Sequence, residues 1–253
     1  MIAPFYDDDM GRNVSDEDVH FYIAQCRNDS DVLELGCGTG RVTLPLVKSG
    51  RTVLGIDSSA PMLEILRSKA QTVLSPNERR RLNWHQADMS DYRGARKFDA
   101  IICPYSAFTY LVSDGSRDRA LGNVRHNLAS GGKFILDVFV PHKEYGSLPN
   151  DYVFHDYERR LSNDTVLKRT KTIQQDRQTR INVITRHYEF VSPNGAARKE
   201  LTTVERIRTY EPNELRSVLE KSGFQIRAVF ADFRDQPHDE DTRMIAFICE
   251  AAS

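Results

Sequence analysis

Three glycines at alternate positions and one aspartate carry the clearest chemical signal in the sequence. Gly36, Gly38 and Gly40 directly follow the apolar run DVLEL, and Asp57 ends the next apolar run, TVLGID. Glycine lets a ligand lie against bare backbone, where amide N–H groups and the positive end of a following helix point at it. An acidic residue 21 positions after the first glycine, at the tip of the next parallel strand, can accept hydrogen bonds from both hydroxyls of a ribose. The ligand is therefore predicted to contain a nucleoside.

A strand, a turn and a helix are needed to hold these residues in place. Residues 31–35 have the pattern of a short buried strand, and VTLPLVKSG, residues 42–50, has the apolar spacing of a helix that stops at Gly50. The glycine spacing differs from the G-x-G-x-x-G fingerprint of dinucleotide sites, because Arg41 stands where that fingerprint has its third glycine. A dehydrogenase-like site for a pyrophosphate is therefore the weaker interpretation of this loop.

The run E-x-G-x-G-x-G after a strand, with an acidic residue closing the next strand, resembles the first two motifs of the class I S-adenosylmethionine-dependent methyltransferases. The resemblance implies that the glycine loop approaches the methionine part of S-adenosylmethionine and that Asp57 holds its ribose. It also implies that Glu34 orients the loop and the cofactor's amino group. Asp88 and Met89, after a third predicted strand, match the family's adenine site, where the acid takes the exocyclic amine. The product would be S-adenosyl-L-homocysteine.

Three further residues are candidates for the cofactor site because of their places next to predicted strands. Ser58 follows Asp57, Pro104 follows the fourth strand FDAIIC, and Met62 opens the next predicted helix. Met62 can pack against the adenine or ribose face, although core packing would explain it equally well. The predicted cofactor-binding set is Glu34, Gly36, Gly38, Gly40, Asp57, Ser58, Met62, Asp88, Met89 and Pro104.

The segment after the fourth strand is the predicted place for the methyl acceptor, because open parallel sheets bind ligands beyond the carboxyl ends of their strands. Tyr105 and Phe108 are candidates there, since aromatic rings can flank a sulfonium by cation–π attraction. Beyond the fifth strand, Asp137 and Tyr145 are expected to border the substrate. The segment lacks the N-P-P-Y type of signature that base- and glutamine-modifying methyltransferases carry at this point, which disfavours a nucleic-acid substrate.

Two residues are candidates for catalytic roles. His142 is the histidine that the pattern puts near the mouth of the predicted cleft, where it would act as a base, and a surface histidine is the alternative. In small-molecule methyltransferases of this class an aromatic residue of the N-terminal segment can reach the methyl group, and Tyr6 is the candidate here. The alternative for Tyr6 is a frayed terminus.

Residues 150–210 differ in pattern from the rest of the chain. Period-two alternation and the turn signals S-N-D, D-R-Q-T and S-P-N-G predict four antiparallel strands. Insertions at this point in the family either roof the active site or build a homodimer face. The segment holds 12 Lys and Arg against 8 Asp and Glu. This surplus is either charge on a solvent-facing sheet or a pocket for an anionic substrate, with Arg186, His187, Arg206 and Arg208 as candidates.

The complete pattern predicts an α/β protein. Its core is a doubly wound, seven-stranded, mostly parallel sheet, with an antiparallel β insertion after the fifth strand. The predicted domain organisation is an N-terminal lid segment and helix at 1–30, the S-adenosylmethionine-binding core at 31–149, the inserted strands at 150–210, and completion of the core at 211–253.

Composition excludes several other classes of protein. The 253 residues, 40% of them apolar, suffice for one α/β domain with an insertion. No apolar run approaches the roughly 20 residues of a membrane span, and the N-terminus lacks a signal-peptide pattern, so a cytoplasmic location without a membrane partner is expected. Four cysteines without C-x-x-C spacing favour neither a disulfide framework nor a metal site. The net charge of −1 gives no indication of a nucleic-acid partner.

The expected reaction is an in-line displacement at a sulfonium methyl group, which requires mainly alignment and exclusion of water. An amine acceptor needs only to arrive deprotonated, whereas a hydroxyl or carbon acid usually needs a base or a metal. The sequence therefore favours an amine nitrogen of a small molecule, with an oxygen acceptor left open, as in bacterial N-methyltransferases that act on amino sugars. The alternatives are a methyltransferase acting on RNA or protein, and a non-catalytic cofactor-binding or dehydrogenase-like protein.

Overall fold

The computed structural model describes residues 3–10, 16–140, 148–161, 164–193, 195 and 198–252. The chain divides into two compact units. The smaller unit lies within Met1–Asn13 and Pro141–Thr209, and the larger lies within Val14–Val140 and Tyr210–Ser253.

The described residues form eleven strands, seven α-helices and two short 3-10 helices, Ala3–Phe5 and Ala107–Tyr110. The strands are β1 (Asp31–Leu35), β2 (Thr52–Asp57), β3 (Leu82–Gln86), β4 (Phe98–Cys103), β5 (Leu128–Phe139), β6 (Phe154–Arg160), β7 (Val166–Asp176), β8 (Ile181–Val191), β9 (Arg198–Arg208), β10 (Phe224–Ala231) and β11 (Met244–Ala251). The helices are α1 (Tyr6–Met10), α2 (Glu17–Gln25), α3 (Thr43–Lys48), α4 (Ala60–Val73), α5 (Pro76–Arg79), α6 (Asp114–Asn127) and α7 (Pro212–Lys221).

The larger unit is built on a seven-stranded sheet with the order β10-β11-β5-β4-β1-β2-β3. Strands β1 to β5 are parallel, and β11 lies antiparallel between β5 and β10. The predicted fold class is confirmed, including the antiparallel pair that closes the sheet. Because β1, β2, β3 and β4 are parallel, their carboxyl ends lie at one edge, which brings the glycine loop next to Asp57 and to the segments after β3 and β4.

The central strands are buried on both faces, as expected for parallel strands covered by helices. Successive residues along a strand point to opposite faces, so each strand contributes to two separate apolar clusters. One cluster contains Leu33 and Phe134, and the other contains Val32 and Ile135. Helix α7 adds Leu215 and Leu219, which are fully buried. Burial on both faces gives the site a rigid platform.

The smaller unit is an antiparallel sheet with the order β6-β7-β8-β9. The four antiparallel strands predicted for the insertion are therefore confirmed. The N-terminal segment packs within this unit, with the Phe5 ring 4.5 Å from the Phe190 ring. The carboxylate of Asp9, which is 4% exposed, accepts hydrogen bonds from Arg169 at 2.7 Å and from the Tyr188 hydroxyl at 3.1 Å. Residues 3–10 thus group with the insertion, whereas α2 groups with the larger unit.

Candidate cofactor and acceptor site

The glycine loop leaves β1 through three left-handed residues. The φ angles are +72° at Gly36, +53° at Gly38 and +88° at Gly40. The amides of Gly36 and Cys37 donate to the Ile56 carbonyl of the neighbouring strand β2, at 2.8 and 3.0 Å, which fixes the start of the turn. A Cβ on Gly36 would lie 2.9 Å from the Ala107 Cβ, whereas a Cβ on Gly38 would meet no described atom within 4 Å. The middle glycine therefore borders open space that a ligand can occupy.

Asp57 lies beside this loop at the end of β2. Its Oδ2 accepts a hydrogen bond from the Gly38 amide at 2.8 Å, and its Oδ1 accepts one from the Ser59 amide, also at 2.8 Å. The carboxylate is half-buried and keeps further lone pairs on both oxygens. It can therefore hold the loop and still accept hydrogen bonds from two ribose hydroxyls. Ser58 is exposed next to it, and Met62 is half-buried in the first turn of α4.

Glu34 lies within the sheet below the loop and is 2% exposed. Its Oε2 accepts a hydrogen bond from the Thr43 hydroxyl at 2.6 Å, which links β1 to the first residue of α3. Burial raises the pKa of this carboxyl to about 8. Glu34 is therefore mainly protonated at neutral pH, and it supports the loop through a hydrogen bond between uncharged groups.

The segment after β3 holds the predicted adenine-binding residues. Asp88 is exposed, and its Oδ1 accepts a hydrogen bond from the Ser90 amide at 2.7 Å. The Met89 methyl carbon lies 3.6 Å from the position of a Cβ on Gly36. Met89 therefore reaches the glycine loop, and both residues lie at the same sheet edge as Asp57.

The segment after β4 begins with an unusual turn. Pro104 is buried, and the next two residues, Tyr105 and Ser106, are left-handed with φ of +53° and +56°. Both of their amides donate to the carboxylate of Asp137, at 2.8 and 2.9 Å, and the Tyr22 hydroxyl donates to it at 2.6 Å. Asp137 has no exposed surface, so the expectation that it borders the substrate is wrong. Burial raises its pKa to about 6.

The two predicted aromatic residues of this segment have different environments. The Tyr105 ring is half-buried, with the Arg41 guanidinium carbon 5.1 Å and the Phe139 ring 5.5 Å from its centroid. Phe108 is 1% exposed and packs against Tyr210 at 5.7 Å. Phe108 thus lies in the apolar core beneath the segment, which corrects the expectation that its ring faces a substrate.

The predicted substrate residues of the insertion lie in the smaller unit. Arg186 is half-buried and forms an ion pair with Glu205 at 2.6 Å, whereas His187 is exposed, 3.0 Å from the Thr202 hydroxyl. As neighbours on β8 they point to opposite faces of the sheet, so they cannot both line one pocket. Tyr6 is the first residue of α1 and is half-buried. His142 and Tyr145 lie outside the described residues.

The four cysteines are buried and free of disulfides. Burial raises the pKa of Cys26 and Cys249 to about 12 and those of Cys37 and Cys103 further, so none is a reactive thiolate at neutral pH. Within the described ranges, no group of three or more His, Cys, Asp or Glu side chains is placed to hold a metal ion. In the same ranges, no helix has the length and apolar character needed to cross a membrane.

Comparison with known proteins agrees with this geometry. The family model of a methyltransferase domain matches residues 32–132, from β1 to the start of β5. An uncharacterized methyltransferase of Staphylococcus carnosus is 30% identical over 151 residues, which are 56% of this chain and 67% of the relative. The dTDP-3-amino-3,4,6-trideoxy-alpha-D-glucopyranose N,N-dimethyltransferase of Streptomyces venezuelae is 23% identical, over 78% of this chain and 76% of that protein.

Solved structures show the same fold. An S-adenosylmethionine-dependent methyltransferase from Clostridium acetobutylicum has a TM-score of 0.81 at 20% identity, over 99% of this chain and 98% of that one. The amino pentose methyltransferase CalS10 from Micromonospora echinaspora, solved with S-adenosylmethionine, has a TM-score of 0.73 at 18% identity, over 96% and 95% of the two chains. Taken with the family match, the sheet order and the glycine loop, these comparisons show that the chain belongs to the class I S-adenosylmethionine-dependent methyltransferases.

Proposed function

We propose that the protein transfers the methyl group of S-adenosylmethionine to an amine nitrogen of a small molecule. The observation that carries the proposal is the left-handed glycine loop with Asp57 bonded to its middle amide. Open space at Gly38 and free lone pairs on Asp57 lie together at one sheet edge, which suits a nucleoside with a flexible amino-acid tail.

The residues at this edge fit the cofactor in two parts. Asp57 would accept the ribose hydroxyls, and Asp88 with Met89 would hold the adenine. The methionine part would follow the loop over Gly38, above the buried Glu34. We also propose cofactor contacts for Ser58, Met62 and Pro104. These three assignments are based only on the positions of the residues next to the strands.

Bound S-adenosylmethionine would supply the electrophilic methyl group on its sulfur. The protein's part is then to exclude water and to hold an amine with its lone pair in line with the carbon–sulfur bond. With the cofactor bound, a nitrogen–carbon bond would replace the carbon–sulfur bond, whose electron pair would stay on sulfur, and the proton of the methylated amine would leave to solvent. Among the described residues, Tyr105 is the aromatic side chain best placed to shape the acceptor side of the cleft.

An amino sugar is the acceptor class that we favour. The Streptomyces venezuelae relative acts on a sugar amine, and its similarity covers 78% of this chain, which is more than residues 32–132 that the family model matches. Tyr6 and His142 remain our candidates for catalytic contacts. Tyr145 and one of Arg186 and His187, which lie on opposite faces of their sheet, remain our candidates for substrate contacts. We also propose that the protein forms a homodimer through the inserted sheet. A cytoplasmic location is proposed as well, and the free cysteines support it because reducing compartments keep thiols unpaired.

The test uses methyl-labelled S-adenosylmethionine with a cell extract and, in parallel, with nucleotide-linked amino sugars and their hydroxyl analogues. Label in the small-molecule filtrate and transfer only to the amine would support the proposal. Label retained with RNA or protein would support the alternative acceptor class instead. The Asp57→Ala variant is the control, because weaker cofactor binding should reduce transfer to every acceptor alike.

A further inference from the structure

We propose that Tyr22 and Asp137 are positioning residues for methyl transfer: they fix the Tyr105–Ser106 turn and thereby hold the Tyr105 ring at the acceptor side of the cleft. The inference rests on the proposed function, since it assigns Tyr105 to the acceptor site. Neither Tyr22 nor Asp137 contacts the ligand space directly, because both are fully buried.

The turn needs such support because of its backbone conformation. Two consecutive left-handed residues that are not glycine are unfavourable and persist only where surrounding contacts hold them. Here one carboxylate provides the contacts: Oδ2 of Asp137 accepts from the Tyr105 amide and Oδ1 accepts from the Ser106 amide. The Tyr22 hydroxyl donates to the same Oδ2 and orients the carboxylate. Hydrogen bonds to an ionised acceptor are the stronger kind, so the turn depends on this group.

The far side of the turn is attached to β5 as well. The Ser106 hydroxyl oxygen accepts a hydrogen bond from the Phe139 amide at 2.8 Å, and the Ser106 carbonyl accepts one from the Thr109 hydroxyl at 2.6 Å. The rings of Phe139 and Tyr105 pack against each other in a T-shaped arrangement. Ser106 thus joins the turn to β5 through its hydroxyl and to Thr109 through its carbonyl.

Helix α2 connects this turn to the glycine loop. Asp18 lies one helical turn before Tyr22, is 2% exposed, and forms a paired contact with Arg41, including a hydrogen bond of 2.8 Å. Arg41 directly follows Gly40 and places its guanidinium over the Tyr105 ring. One face of α2 therefore fixes the Tyr105 backbone through Tyr22 and its ring through Asp18. The glycine loop and the Tyr105–Ser106 turn are therefore predicted to move together as one rigid unit.

The first test is Tyr22→Phe, which removes one hydroxyl and no carbon atom. We expect kcat/KM for the amine acceptor to fall at least tenfold, while the Kd of S-adenosylhomocysteine stays within threefold by calorimetry. In a Tyr105→Ala background the same substitution should change kcat/KM less than twofold, because it acts through the ring already removed. Tyr152→Phe, at an exposed tyrosine of the smaller unit, is the matched control.

A second measurement does not require turnover. In protein labelled with 3-fluorotyrosine, the fluorine resonance of Tyr105, assigned by its loss in Tyr105→Phe, should shift or broaden in Tyr22→Phe and stay unchanged in Tyr152→Phe. An unmoved Tyr105 resonance, or an equal loss of kcat/KM in both backgrounds, would overturn the inference. Failure of the wild-type protein to methylate any amine would instead contradict the proposed function, and the fluorine spectrum would still decide the role of Tyr22.

Discussion

Replacement of Gly38 by alanine tests whether the cofactor contacts the glycine loop, because its effect on cofactor binding can be measured separately from its effect on folding. Gly38 is left-handed, so an alanine there costs about 1–2 kcal/mol of folding free energy from its backbone alone. Its added Cβ would meet no described atom within 4 Å, so no steric cost is added in the ligand-free protein. Since about 1 kcal/mol shifts the melting temperature of a chain of this size by roughly 2–4 °C, we expect a decrease of about 2–8 °C.

The effect on cofactor binding should be larger than the effect on folding. The new methyl group would project into the space that the cofactor is proposed to fill, and forcing an extra methyl into a packed contact costs about 1–3 kcal/mol. This corresponds to a rise in Kd of roughly 5- to 150-fold at about 1.4 kcal/mol per factor of ten. Titration calorimetry with S-adenosylhomocysteine on the folded variant measures it directly.

Gly131→Ala is the matched control for this experiment. Gly131 has φ of +72° near the start of β5, at the opposite edge of the sheet, and a Cβ there also meets no described atom within 4 Å. It should lower the melting temperature by a similar amount and leave the Kd unchanged. If Gly38→Ala bound S-adenosylhomocysteine as tightly as Gly131→Ala does, the cofactor would not lie against this loop and the assignment of the site would fail.

Three other perturbations test separate parts of the structure. Asp57→Ala should weaken binding of S-adenosylhomocysteine more than tenfold, because charge-assisted hydrogen bonds are worth about 1.5–3 kcal/mol each. Its control is Asp29→Ala, which removes an exposed ion pair with Arg81. An unchanged Kd for Asp57→Ala in calorimetry would show that Asp57 does not bind the ribose. Glu34 has a folded-state pKa raised to about 8, so its contribution to stability is fully present below pH 4.5 and is lost as the pH rises through 8. Urea unfolding should therefore show the stability of Glu34→Gln rising relative to that of the wild type between pH 4.5 and 8, by at most about 1.4 kcal/mol per pH unit, and levelling off above pH 8. A difference that stays constant with pH would contradict the raised pKa. Asp9→Asn should destabilise the smaller unit by about 1.5–3 kcal/mol, because it removes one of the two carboxylates that pair with Arg169 and leaves only Asp156. Hydrogen exchange in β7 and β8 measures this, with the exposed Asp8→Asn as control. Equal protection in both variants would show that Asp9 does not anchor the segment.

The parts of the molecule that the sequence predicted well depend on local patterns. The strand, glycine loop and helix around Gly38 and the closing antiparallel strands all follow from apolar period and from residues that mark turns. The four strands of the insertion were predicted by the same signals, although alternation does not say which segments pack on them. The hydrogen bonds from Arg169 and Tyr188 to Asp9 join positions 160 and 179 residues apart, and no local pattern encodes such a pair.

Asp137 shows which signal in the sequence would have corrected the prediction. It stands within the apolar run FILDVFV, where both neighbours on each side are apolar. A carboxylate inside a buried strand is unfavourable unless donors surround it, so its position indicates a group with structural hydrogen bonds rather than one that borders a cleft. The identity of its donors could not be predicted, because Tyr22 lies 115 residues away and the two amides depend on the turn after β4. Phe108 was misplaced for a related reason, since the aromatic spacing of that segment does not distinguish the ring that packs in the core from the ring at the edge.

At the edge of the sheet where the ligands are proposed to bind, residues of two kinds adopt the left-handed conformation. Gly36, Gly38 and Gly40 adopt positive φ at little cost, and their spacing makes the loop visible in the sequence. Tyr105 and Ser106 adopt the same conformation at a cost in free energy, and their residue types do not indicate it in the sequence. The unfavourable conformation of Tyr105 and Ser106 is stabilised by Asp137, a fully buried acid of the neighbouring strand β5. Selection for the position of the Tyr105 ring explains this arrangement more easily than selection for stability does. If that explanation holds, substitutions at Tyr22 should affect catalysis more than they affect unfolding.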